Sequence, residues 1–242
     1  MKQTLLVISL LFSLTACATE KKAMIVGTSS KINVLTARDQ FSPTHIPKGW
    51  VIEGADQDKL FSNKDKLPNI YMARKNDRIG VHIQSGHDDF IVARYQATKL
   101  LVTPFLIWNW YVSEHKSPHH PVRLVVGFYG GQAQSEPLDP SLLVWRGQEL
   151  PPFDRLIAIG YDQTALKRGN IYSMGQVKYY VQRGGFEQTN RWHQEAADLF
   201  QIYRRAWPDD HLGNVKITFV GMAATQDSGD GGITFSNIQL IR

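Results

Sequence analysis

From Ile32 onward, short apolar runs recur between turn signals: Trp50–Ile52, Ile70–Ala73, Ile79–Ile83, Phe90–Tyr95, Phe105–Val112, Val122–Tyr129, Leu156–Tyr161, Val177–Val181, Val215–Met222 and Ile233–Ile241. Runs of this length, rich in Val, Ile, Tyr, Phe and Trp, predict an antiparallel β-sandwich of jelly-roll type. One segment breaks the rhythm. Between Asn190 and Trp207, the residues Ala196, Leu199, Phe200, Ile202, Tyr203 and Ala206 fall at helical spacing, and Pro208 follows as a stop. The pattern predicts one amphipathic helix near residues 195–207, covering an open end or edge of the sandwich. Asn190 offers a cap, but Arg191–Glu195 could equally finish a strand.

Two strands have informative faces. In Phe105–Val112, the residues Leu106, Trp108, Trp110 and Val112 form one face, and Phe105, Ile107, Asn109 and Tyr111 form the other. Trp108 and Trp110 are expected in the core. In Val122–Tyr129, Val122, Leu124, Val126 and Phe128 should face inward, leaving Arg123 on the opposite face with Val125, Gly127 and Tyr129. The Gly130-Gly131, Gly184-Gly185 and Gly231-Gly232 pairs match no phosphate-binding template and read as turns.

Composition narrows the class. The chain has 242 residues, 43% of them hydrophobic and 11% aromatic, with a single cysteine. A disulfide-stapled scaffold and a disordered chain are both excluded, leaving one domain with a substantial core. The formal charge of +5 is spread along the sequence. It forms no basic stripe of the kind a nucleic acid would need, so no nucleic-acid partner is expected.

The N-terminus reads as an address. Lys2 precedes an apolar run from Leu5 to Leu14, too short to span a bilayer as a stable helix, and Leu14-Thr15-Ala16-Cys17 looks like a bacterial lipobox. Residues 1–16 are then a lipoprotein signal peptide, residues 17–31 a lipidated tether, and residues 32–242 the single sandwich domain. The expected partner is a lipid bilayer, held through acylated Cys17; the alternative is a free thiol near an ordinary signal-peptidase site. Ala18 follows the cysteine in place of the aspartate of an inner-membrane retention signal. Attachment to the outer membrane, facing the periplasm, is therefore the expectation.

Several motifs in order resemble one family. Gly49-Trp50, the Trp108-x-Trp110 strand, Val122-Arg123-Leu124-Val125-Val126, Leu143-Val144-Trp145, Tyr203-Arg204-Arg205-Ala206-Trp207 and Phe235-Ser236-Asn237-Ile238 are together similar to the bacterial family DUF3047. The resemblance runs from about residue 32 to the C-terminus. It implies a galactose-binding-like jelly roll and no established activity. Two places depart from the family pattern. Thr225-Gln226-Asp227-Ser228-Gly229-Asp230 has fewer acidic residues, and Trp108-Asn109-Trp110-Tyr111 lacks two positive charges.

Three clusters offer chemistry. Sugar rings stack on aromatic faces while Asn, Arg and Asp bond their hydroxyls, so a groove holding Asn109, Tyr111, Arg123 and Trp145 would suit a glycan. Asn109, Tyr111 and Arg123 are expected to share a sheet face; the alternative is a buried, hydrogen-bonded Arg123. Asp227 and Asp230 could contribute oxygens to Ca²⁺, against the simpler reading of a hairpin turn, and no other cofactor is expected. His115, His119 and His120 suggest zinc by spacing, but Pro118 and Pro121 exclude a helix there. That segment reads as a polar hairpin loop. His82 and His87 lie near Asp88 and Asp89, and Ser85-Gly86-His87-Asp88-Asp89 reads as a turn. No Ser-His-Asp set or carboxylate pair assembles from the sequence.

The leading expectation is a non-catalytic module that binds an envelope glycan. A glycan-directed hydrolase or lyase using Asp88, Asp89 or Asp162 is the alternative, and a structural or assembly lipoprotein is a third.

Overall fold

A computed structural model of the chain describes residues 31–42, 45–54, 70–86, 89–138, 149–227 and 231–242. The strands are β1 (Lys31–Asn33), β2 (Trp50–Gly54), β3 (Ile70–Lys75), β4 (Arg78–Gln84), β5 (Phe90–Lys99), β6 (Phe105–Val112), β7 (Val122–Tyr129), β8 (Arg155–Asp162), β9 (Ile171–Met174), β10 (Val177–Gly184), β11 (Trp192–Asp198), β12 (Lys216–Ala224) and β13 (Gly232–Ile241), with one α-helix, α1 (Leu199–Ala206), among the described residues. They form two sheets. The smaller has the order β11-β6-β13-β4-β3, with β1 added to β13; the larger runs β2-β5-β12-β7-β8-β10-β9. All described pairings are antiparallel except β8 with β10. The result is a β-sandwich of jelly-roll type with one helix.

Alternation explains the packing. Leu106, Trp108, Trp110 and Val112 of β6 meet Val122, Leu124, Val126 and Phe128 of β7 in the core between the sheets. The Trp108 and Trp110 rings touch edge to face there, 5.4 Å apart. A second apolar cluster lies on the other face of the larger sheet. It includes Ile91, Val125, Ala158, Tyr179, Val181 and Phe219, with Leu150 and Phe153 packed among them. A sheet buried on both faces needs near-continuous apolar strands, which is why β7 and β8 read that way. Close approach there depends on Gly160: a Cβ at that position would lie 2.2 Å from the Tyr179 hydroxyl.

The helix starts later than its apolar spacing suggests. Residues 192–198 form β11, an edge strand paired with β6 in the register Trp192↔Tyr111 to Asp198↔Phe105. In β11, Glu195 and Ala197 are buried while Gln194 and Ala196 are exposed, a period of two. Asn190 is no cap; it sits at φ 56°. Asp198 caps α1 instead, its side chain accepting from the Gln201 N–H at 3.0 Å. Leu199, Ile202 and Tyr203 bury the helix against the core.

The sandwich has two distinct ends. At one, which we call the arch end, the connections β4–β5, β6–β7, β10–β11 and β12–β13 all cross from one sheet to the other. At the opposite, helix end lie Lys31, the β5–β6 turn, the start of α1 and Ile241; Lys31 pairs with Ile241, and Ile241 with Phe105. Among the described residues no helix is long and apolar enough to cross a membrane.

Candidate functional site

The arch end holds a cavity of about 470 Å³ lined by Glu114, His115, Lys116, Gln163 and Phe186. Three separate segments build it. Glu114, His115 and Lys116 belong to the β6–β7 connection, which is an inter-sheet arch and not the hairpin expected from its composition. Gln163 follows β8, and its backbone N–H donates to the Pro118 carbonyl at 3.0 Å while its side-chain amide donates to the Lys116 carbonyl, tying arch to strand. Phe186 opens a short 3-10 turn after Gly185, whose φ of 105° suits glycine. The turn is anchored from below, because the Tyr161 hydroxyl donates to the Gly185 carbonyl at 2.5 Å.

The cavity pairs an apolar face with polar groups. Phe186 is 50% exposed. Glu114 accepts from the Asn190 side-chain amide at 2.9 Å, which orients its carboxylate. His115 is only 4% exposed; neither ring nitrogen makes a well-aligned hydrogen bond, although the Ser113 backbone interacts with the ring. Its ring lies between neighbours, with centroids 4.6 Å from His120, 6.0 Å from Tyr161 and 6.1 Å from Phe186. Burial holds the His115 imidazole below its ordinary pKa, against the opposing pull of Asp162 and Asp227, so it is neutral at pH 7. A neutral imidazole offers one donor and one acceptor. His120 is held down further, by burial and then by His115, and its Nδ1 accepts from the Val122 N–H at 3.0 Å.

Strand alternation sends His119 to the other side of the arch. Its Nδ1 lies 2.8 Å from Asp162 Oδ2 without the alignment of a hydrogen bond, and its ring centroid is 4.9 Å from that of Tyr179. The buried Asp162 also receives the Lys167 ammonium at 3.3 Å and the Thr164 N–H at 3.1 Å. The three histidines of the segment therefore do not converge. Among the described residues no group of three or more His, Cys, Asp or Glu could hold a metal ion.

The structure separates the residues expected to share a groove. Asn109 and Tyr111 lie on the outer face of the smaller sheet; Arg123 lies on the outer face of the larger one, and the thickness of the sandwich stands between them. The cause is the arch, which moves the chain to the other sheet between β6 and β7. Asn109 and Tyr111 are engaged by the tip of the β3–β4 hairpin. The Arg78 guanidinium donates to Asn109 at 3.3 Å and sits 5.6 Å from the Trp192 ring, while the Lys75 ammonium sits 5.6 Å from the Tyr111 ring. Arg123 is the buried arginine of the alternative reading. It donates to Thr225 Oγ1 at 2.9 Å and to the Pro121 carbonyl at 3.3 Å, and lies 5.5 Å from the Tyr179 ring.

Asp227 Oδ2 accepts from the Ser117 hydroxyl at 2.6 Å, and Asp89 Oδ1 accepts from the Gln226 N–H at 2.6 Å, so both carboxylates clamp loops at the arch end. Cys17, His87, Asp88, Trp145 and Asp230 lie outside the described residues. Sequence reasoning missed Phe186 as a site residue. The signal available was a large aromatic directly after Gly184-Gly185, where a turn would present it to solvent.

No family model matches the chain, and no curated protein matches it. Solved structures are similar in fold. The K2 cleaved adhesin domain of Lys-gingipain is 10% identical, with 88% of this chain and 99% of that one covered at a TM-score of 0.43. A family 12 xyloglucanase from Bacillus licheniformis is also 10% identical, with the same coverage and TM-score. A mannan-recognising carbohydrate-binding module, TmCBM27, is 15% identical, with 87% and 99% covered at a TM-score of 0.30. At these identities the likeness is to the sandwich alone.

Proposed function

We propose that the protein is a periplasm-facing lipoprotein of the DUF3047 type, acylated on Cys17 and held at the outer membrane, and that it binds an envelope glycan in the arch-end cavity without cleaving it. One observation carries the binding reading: a half-exposed aromatic ring shares a cavity with an oriented carboxylate, an ammonium, an amide and a buried neutral imidazole that makes no well-aligned hydrogen bond. A sugar needs that combination. Its C–H face stacks on Phe186, and its hydroxyls exchange hydrogen bonds with donors and acceptors around the ring. The cavity volume suits one or two sugar units more than a long chain.

Calorimetric titration with peptidoglycan and lipopolysaccharide fragments tests it. Binding should weaken at least about tenfold in Phe186→Ala, the loss of roughly 1.4 kcal/mol expected for an aromatic stacking contact. Unchanged affinity in that variant would remove the cavity from consideration, and release of new reducing ends from a bound glycan would move the protein to the hydrolases. The anchor is tested separately by Cys17→Ser and cell fractionation, where continued membrane retention would refute lipidation at this residue.

A further inference from the structure

The helix end of the sandwich gathers exposed apolar side chains that elsewhere are scattered along the sequence. Leu101 is 51% exposed, Val102 40% and Phe105 37%, three large apolar side chains within five residues. They are presented by a fixed turn, because the N–H groups of Val102 and Thr103 both donate to the Lys99 carbonyl while Leu100 and Thr103 are buried beneath it. Phe200, at the start of α1, joins Leu101, Pro104, Phe105 and Asp198 around one shallow depression. Cations share this end of the sandwich. Lys99 and Lys216 are opposite one another on β5 and β12, Lys31 pairs with Ile241, the neighbour of both Phe105 and Arg242, and the Arg204 guanidinium sits 5.8 Å from the Phe200 ring. The one acid lining the depression, Asp198, is occupied in capping α1. Apolar side chains at the tip of a rigid turn, with Lys and Arg at the same end, match the layered chemistry of a bilayer surface. Acyl chains would receive the tip and anionic headgroups the rim.

The chain itself indicates which surface. The described residues begin at Lys31, in the same row of the sheet as Phe105, and residues 18–30 before it can span at most about 45 Å from Cys17. We infer that the helix end docks on an anionic phospholipid surface, with Leu101, Val102, Phe105 and Phe200 in the interface and the arch end facing away. The inference rests on the lipid anchor proposed above for its proximity to the bilayer. A docked domain holds its glycan cavity at the far end of the sandwich, pointed into the space that the bilayer bounds.

The test uses the full chain reconstituted in phosphatidylethanolamine–phosphatidylglycerol vesicles that carry a bilayer-embedded fluorescence quencher. A fluorophore is attached through Leu101→Cys or, as a control near the arch end, through Leu166→Cys, where the native side chain is 93% exposed. The Leu101 label should be quenched several-fold more than the Leu166 label, and Lys99→Glu with Lys216→Glu should reduce that difference by at least half. Equal quenching at the two positions in protein that mass spectrometry shows to be acylated overturns docking and leaves the anchor standing. Preferential quenching at Leu101 in protein that carries no acyl group supports docking and overturns the anchor. Shielding of the Leu101 label that depends on protein concentration without lipid assigns the patch to a second copy of the chain and also overturns docking.

Discussion

The two ends of the sandwich resolve the same geometric problem in opposite ways. Each must close the gap between two sheets. The helix end closes it with α1 and pairs its main buried carboxylate, leaving Asp154 Oδ1 without a partner: Asp210 receives two hydrogen bonds from Arg155, at 2.9 and 3.0 Å, and one from the Tyr203 hydroxyl at 2.7 Å. Its unfilled demand is apolar, the exposed Leu101, Val102 and Phe105. The arch end closes the gap with crossing loops, and its unfilled demand is polar. His115 and the Nε2 of His120 are buried there without a well-aligned hydrogen bond, with only the Ser113 backbone acting on both rings. Unmet demand marks where a molecule expects company, and its chemistry indicates of what kind.

The largest effect on that contrast should come from the satisfied end. Asp210→Ala leaves the Arg155 guanidinium and the Tyr203 hydroxyl without their acceptor in a site where the carboxylate is 5% exposed. Breaking a buried pair on one side costs about 3–5 kcal/mol, read as a lower midpoint in urea denaturation. A loss below about 1 kcal/mol would mean that α1 is held by its apolar face alone.

Acid should unsettle the arch side next. Burial, with Lys75 nearby, pushes His82 down to about 4, and His115 and His120 are lowered as well. Well above pH 6.5 these imidazoles are neutral in both folded and unfolded chains and contribute no pH dependence. Between pH 6.5 and about 4 the unfolded chain takes up protons that folded His82 refuses, so stability falls with pH, by about 3 kcal/mol for His82 alone. Glu53, raised above its ordinary range chiefly by burial, works in the opposite sense as pH falls. His82→Gln, which can still bond Thr234, should flatten the slope between pH 6.5 and 4.

The ten apolar runs all correspond to strands, because a half-buried strand must alternate and a doubly covered one must be apolar throughout, and both patterns survive in a single sequence. Two strands are missing from the apolar pattern, and a third stands in it only as an alternative, for physical reasons. β1 has three residues, β9 is largely exposed, and β11 carries apolar positions that also fit a helix until pairing with β6 decides the matter. The candidate site was less legible. Period-two alternation says which residues of one strand share a face, but not which sheet the next strand joins, so Asn109 and Arg123 looked like neighbours. HKSPHHP could be recognised as a loop, but its span between sheets, and with it the opposite destinations of His119 and His120, depends on pairings made by residues far away. Phe186 meets His115 only because β10 and β11 belong to different sheets.

The smallest expected effect on stability is the most discriminating. His115→Leu removes a buried side chain that makes no well-aligned hydrogen bond and substitutes an apolar one of similar size among Tyr161, Phe186 and His120. Where a buried polar group has no partner, its replacement by a hydrocarbon is close to neutral, so the unfolding free energy should change by less than about 1 kcal/mol, toward greater stability. Glycan binding should fall in the same variant, since both nitrogens that the fold leaves unused would be gone. A destabilisation above about 2 kcal/mol would show that the imidazole serves the fold. The contrast between the ends would then be one of packing, with no polar demand at the arch end for a ligand to meet.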